Sequence, residues 1–138
     1  MTLYELARTL PNGFHDTEIK RTILDYEEGT ASLTLDVFVG EVDAEPNERE
    51  LYRLTELTLE GLAFWIIEPP SSGYLAWHPG SVRIDIHGAE HIPSAIRELP
   101  VPEGSFLNTI YVYDWNSFIY LAAQDARLTW LANAILRD

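Results

Sequence analysis

Apolar positions recur along this chain with a period of two more often than with a helical period. From Ala31 to Val39, Ala31, Leu33, Leu35, Val37 and Val39 fall on one side, and Ser32, Thr34, Asp36 and Phe38 on the other. Such alternation predicts a strand with one face in a core. Glu18–Glu27, carrying Ile19, Ile23, Leu24 and Tyr26, precedes it across Glu28-Gly29, and the two read as a hairpin. Ser81–His87 alternates again, with Val82, Ile84 and Ile86 inward and Arg83, Asp85 and His87 outward. Leu51–Leu59 reads as a weaker strand. Leu62–Ile67 is a continuous apolar run that fits either a strand buried on both faces or a buried helical turn. Phe106–Tyr113 is aromatic and β-branched, and Asp114-Trp115-Asn116 can turn. Ser117–Trp130 then offers one long strand, which at that length bends or bulges, with a helix competing from Ala122 onward.

Helical spacing appears mainly at the start. Leu3, Leu6, Ala7 and Leu10 share a face, Thr2 can cap, and Glu5 stands three residues later, so Thr2–Leu10 reads as a short helix that Pro11-Asn12-Gly13 ends. Ile92–Leu99 fits a short helix or an irregular link, and Leu131–Leu136 a short terminal helix. The Pro/Gly breaks are brief and there is no repeat, so residues 1–138 form a single globular domain. About seven strands joined by short turns predict an α+β, mostly β fold: a strongly curved antiparallel sheet or half-barrel with a short N-terminal helix. Both sheet faces carry large apolar groups, so the sheet must curl over itself, pack a helix, or pair with a second copy in a homodimer.

Charge narrows the function classes. The chain holds 22 acidic and 9 basic residues, a formal net charge of −13. Nucleic acid and anionic membranes are unsuited as partners, because the cations form no stripe and only Lys20 and Arg21 are adjacent. No apolar run is long enough to span a membrane, and the first residues lack the basic and apolar regions of a secretory signal, which predicts a cytoplasmic protein. With no cysteine, disulfides, thiolate catalysis and cysteine-ligated metals are excluded. Eight acids lie between Asp36 and Glu60 against Arg49 and Arg53 alone. Glu41, Asp43, Glu45, Glu48 and Glu50 form the densest part, and a negative field of this kind steers a basic protein partner. Trp77 and Trp115, in a loop and at a turn, are candidate interface anchors, while Trp65 and Trp130 suit the core.

Two clusters carry candidate chemistry. His15, Asp16 and Glu18 stand at the entry to the first strand, where an imidazole and carboxylates can transfer protons or fix the turn by accepting loop amides. On an extended chain His15 and Asp16 point to opposite faces, which favours the turn-fixing role. Asp85, His87 and His91, with Glu90 beside them, supply imidazoles and carboxylates for a divalent metal. They support the alternative of a metal-assisted or acid–base enzyme. There is no Gly-x-Ser-x-Gly, no phosphate-cradling loop and no dinucleotide fingerprint, and no organic cofactor is expected.

The segment Phe14-His15-Asp16-Thr17-Glu18-Ile19 resembles the opening of a small uncharacterised bacterial family in which F-H-D-x-E-[IL] leads into a strand hairpin. It is similar in this to Imm50-like immunity proteins of bacterial toxin systems. Trp115-Asn116-Ser117-Phe118-Ile119-Tyr120-Leu121-Ala122-Ala123 resembles their late W-x-S-hydrophobic strand. The resemblance covers roughly the first 27 residues and about 16 near the end. It implies an α+β protein without catalysis that inhibits a partner by binding it. It transfers no catalytic residue, and His15, Asp16 and Glu18 match only as signature positions.

Overall fold

The computed structural model describes residues 1–41, 45, 50–75 and 78–136. Nine strands and two short helices appear among them. The strands are β1 (Thr17–Asp25), β2 (Thr30–Phe38), β3 (Leu51–Glu60), β4 (Phe64–Ile67), β5 (Val82–His87), β6 (Phe106–Val112), β7 (Ser117–Ala123), β8 (Asp125–Trp130) and β9 (Ile135–Leu136). The helices are α1 (Leu3–Ala7) and α2 (Ser94–Arg97). All ladders are antiparallel, in the order β4-β7-β6-β5-β1-β2-β3-β8, with β9 beside β3. The fold is the curved, mostly antiparallel sheet with a short leading helix that the hydrophobic pattern predicts.

The curvature has a covalent cause. β3 continues through residues 61–63 into β4, and β7 continues through Gln124 into β8. β3 pairs with β8, and β4 with β7, so these two long segments form one bent ribbon that belongs to both ends of the strand order. The sheet must curl until its two ends share that ribbon, although β4 and β8 do not pair with each other. At the corner the Gln124 amide donates to the Glu60 carbonyl (2.9 Å) and the Ala63 amide to the Ala122 carbonyl (2.7 Å), so hydrogen bonding crosses the bend. Gly61 sits there at φ +62°, and a Cβ on it would lie 2.9 Å from Gln124 Cβ. Both the left-handed backbone and the close approach require glycine.

The concave side is filled. Leu33, Leu35 and Val37 of β2, Leu57 and Leu59 of β3, Ile84, Ile110, Val112 and Leu121 all have no exposed surface. Each such Leu or Ile contributes about 1.5–3 kcal/mol by burial. Leu3, Leu6, Leu10 and Phe14 join the same cluster. Thr2 caps α1 by accepting from the Glu5 amide at 3.1 Å.

Several elements differ from expectation. α1 ends at Ala7, short of Leu10, because the Thr9 and Leu10 amides bond to Leu6 and Ala7, three residues back, and the helix tightens into a turn. The apolar run after β3 is β4, an edge strand with Ile67 half exposed, buried on neither face completely. The long terminal segment is a strand throughout, broken at Gln124, with no helix after Ala122. Residues 131–136 form no helix; Ile135 and Leu136 pair with Tyr52 and Leu51 as β9. Among the described residues no helix is long and apolar enough to cross a membrane.

Candidate functional site

β5 brings the two chemical clusters together. It lies between β1 and β6, with Thr17 opposite Ile84 and Asp85 opposite Tyr111. Ile84 enters the core, so Asp85 faces outward, as its parity predicts. It is nevertheless only 6% exposed, because the turn before β1 and the ring of Tyr113 close over it. Sequence parity gives a side chain's face and is silent about what later folds onto that face.

Asp85 accepts three hydrogen bonds. Its Oδ1 lies 2.9 Å from His15 Nδ1 and accepts from the Asp16 amide at 3.0 Å, and its Oδ2 accepts from the Tyr113 hydroxyl. The turn-fixing acceptor is therefore Asp85, seventy residues away from His15, where the local pattern pointed to His15 or Asp16 themselves. Asp16 is held at φ +55°, a left-handed conformation that Asp tolerates better than most residues. Its Oδ2 stands 3.3 Å from His15 Nε2, and its Oδ1 accepts from Arg83. Both ring nitrogens of His15 thus face carboxylates, and an imidazolium can donate to both. The Arg83 guanidinium also lies over the Tyr113 ring, 4.6 Å from its centre.

The charges leave their mark on ionisation. The Asp85 hydrogen bond, and then burial, push the Tyr113 phenol up to about 12. The hydrogen bond to Asp16 raises the Arg83 guanidinium above its ordinary value. On the neighbouring strands, burial and then Glu68 push the Tyr120 phenol up to about 12. Glu68 Oε2 accepts from that hydroxyl at 2.5 Å, and Oε1 accepts from the Phe118 amide at 3.3 Å. This fastens the chain after β4 onto β7.

Glu18 accepts from Ser81 at 2.5 Å, and with Asp16, Glu50, Tyr52 and Arg83 it lines a shallow depression of about 360 Å³. Asp16 and Glu18 of the signature thus meet Glu50 on one surface, although 32 positions separate Glu18 from Glu50. Glu41, Glu45 and Glu50 are exposed. Asp43, Glu48 and Trp77 lie outside the described residues.

The expected metal set does not form. Asp85 turns its oxygens to His15, Asp16 and Tyr113, while His91 stacks on Phe118 (5.4 Å) and meets His87 edge-on (6.0 Å). Among the described residues no group of three His, Asp or Glu side chains comes together to hold a metal. Trp115 is also placed differently: it is partly buried and packs against the core, as Trp65 and Trp130 do, and so it is no exposed anchor. Tyr113 and Glu68 carry the site's hydrogen bonds without a local signal. Only the β5–β6 and β4–β7 registers place them.

No family model matches the chain, and no curated protein matches it. Among solved structures, it is similar to an uncharacterized protein from Neisseria gonorrhoeae at 9% identity, with 83% of this chain and 91% of that chain covered and a TM-score of 0.39. That likeness assigns no activity.

Proposed function

We propose that this is a non-enzymatic bacterial binding protein, acting in the cytoplasm in the manner of an immunity protein, which occludes a basic protein partner with its acidic surface. The observation that carries this reading is the meeting of Asp16, Glu18 and Glu50 around one shallow depression; Glu41 and Glu45 are exposed as well. Three carboxylates, Asp16, Glu18 and Glu50, line the depression against Arg83, which offsets one of them, so the patch keeps a negative field. The resemblance of the Phe14–Ile19 segment to immunity proteins points the same way. A basic toxin, such as a nuclease whose own site must attract phosphate, has the complementary charge.

Acid–base catalysis is the weaker reading. His15, Asp85 and Tyr113 are bonded together, but two of the three hydrogen bonds at Asp85 hold the turn before β1, the third ties down the Tyr113 hydroxyl, and the depression that Asp16 and Arg83 line is shallow. One experiment tests the binding reading. Immobilised wild-type protein and a Glu41→Gln/Glu45→Gln/Glu50→Gln variant are exposed to lysate of the native bacterium. The binding reading predicts a basic protein retained by the wild type and largely lost from the variant. Equal retention by both contradicts it.

A further inference from the structure

Among the described residues, β1 has an open edge along half its length. β5 pairs with it only from Thr17 to Ile19, whereas β2 continues to Asp25. Beyond Ile19 every β1 residue from Lys20 to Asp25 is exposed, including Ile23 (46%) and Leu24 (37%). Edges are normally blunted by charge, proline, a bulge or a covering loop; a register irregularity between Ile19 and Arg21 and the charges of Lys20, Arg21 and Asp25 flank this stretch, but Thr22-Ile23-Leu24 itself carries neither charge nor proline. The segment carries Arg21 at one end and Asp25 at the other, which suits an antiparallel copy of itself.

We infer that this edge pairs with the same edge of a second copy, joining two molecules across a two-fold axis at Ile23. Geometry restricts the register. Successive residues direct their N–H and C=O groups to alternate edges, so residues facing one another in a two-fold pair of identical edges have numbers of equal parity. Centring on Thr22 sets Arg21 against Ile23. Centring on Leu24 sets Asp25 against Ile23 and draws the Tyr26–Gly29 turn into the ladder. Centring on Ile23 uses strand residues only. It places Ile23 on its counterpart, Arg21 against Asp25 twice, and Thr22 against Leu24 twice. Cross-strand pairs of these kinds are the favourable ones. The outer-face partners of Arg21, Ile23 and Asp25 within the subunit are Thr34, Ser32 and Thr30, which carry no charge to compete. This inference is independent of the acidic patch and its partner.

The test is sedimentation velocity over a concentration series. Wild type is expected to show reversible monomer–dimer exchange. Arg21→Asp places like charges together at two symmetric positions and weakens the dimer by at least about tenfold, as does Asp25→Arg. Mixing these two variants restores opposite charges at both positions, so the mixture regains a dimer that neither forms alone. Asp25 also accepts the Glu28 amide at 3.0 Å, so far-ultraviolet circular dichroism confirms that each variant is folded. Ile23→Lys provides a third disruption that leaves that turn intact. A wild type that stays monomeric at its highest soluble concentration overturns the inference, and leaves the edge to a foreign strand or to none. A dimer that survives both Arg21→Asp and Ile23→Lys overturns it as well.

Discussion

Asp85 accepts from the Asp16 amide, the His15 ring and the Tyr113 hydroxyl while almost fully buried, and this fixes both its role and its sensitivity. Asp85→Asn keeps the shape but turns one acceptor into an NH2 donor, which must face either the Tyr113 hydroxyl or the His15 and Asp16 N–H groups. It should destabilise the fold by roughly 2–4 kcal/mol, read as a shift in urea midpoint at unchanged slope. The two raised tyrosines make a separate prediction. Their phenols titrate near 10 when unfolded and at about 12 when folded. The protonated form is favoured by the fold, so this stabilisation is complete below pH 10 and is lost as pH rises through 12. Tyr113→Phe and Tyr120→Phe should each flatten the fall in stability between those limits. Denaturation at a series of alkaline pH values checks this, and an unchanged slope in both variants contradicts it.

At the scale of elements, the corner where β3 passes into β4 and β7 into β8 controls the curvature. Gly61 and Gly29 have similar left-handed angles, φ +62° and +65°, but only Gly61 has Gln124 in the way of a Cβ. Gly29→Ala should cost about 1 kcal/mol from backbone strain alone, and Gly61→Ala about 1–3 kcal/mol more because the ribbon must open. Equal costs in thermal or urea unfolding contradict a tight corner. The strands themselves were legible in the sequence. β2 shows the cleanest alternation and is the cleanest strand, with Ala31, Leu33, Leu35 and Val37 buried, and the bend in Ser117–Trp130 follows from its length. Illegible elements depend on distant partners. Residues 131–136 have helix-compatible composition, but the edge of β3 offers Leu51 and Tyr52 as hydrogen-bonding partners, and a non-local ladder overrides local propensity. The Asp85 cluster is hidden for the same reason. Residues 15, 85 and 113 meet only through the β1–β5 and β5–β6 registers. A spacing of two between Asp85 and His87 suggested a shared ligand that the covering turn prevents.

At the scale of the molecule, the curled sheet separates an apolar interior from a charged exterior. Its interior is occupied by side chains from β2, β3, β5, β6 and β7, so the concavity is a core. On the exterior, Glu50 meets Asp16 and Glu18 around one depression, and the Lys20–Asp25 half of β1 presents a second, chemically different surface. A protein that docks through a negative patch should associate faster at low salt, and the effect should shrink when the patch is neutralised. The most direct test takes the protein retained on the immobilised wild type and measures its association rate against ionic strength. It compares wild type with the Glu41→Gln/Glu45→Gln/Glu50→Gln variant. Acidic docking predicts a rate that falls steeply with salt for the wild type, and a slower, flatter dependence for the variant. Identical rates and identical salt dependence for the two proteins would contradict it.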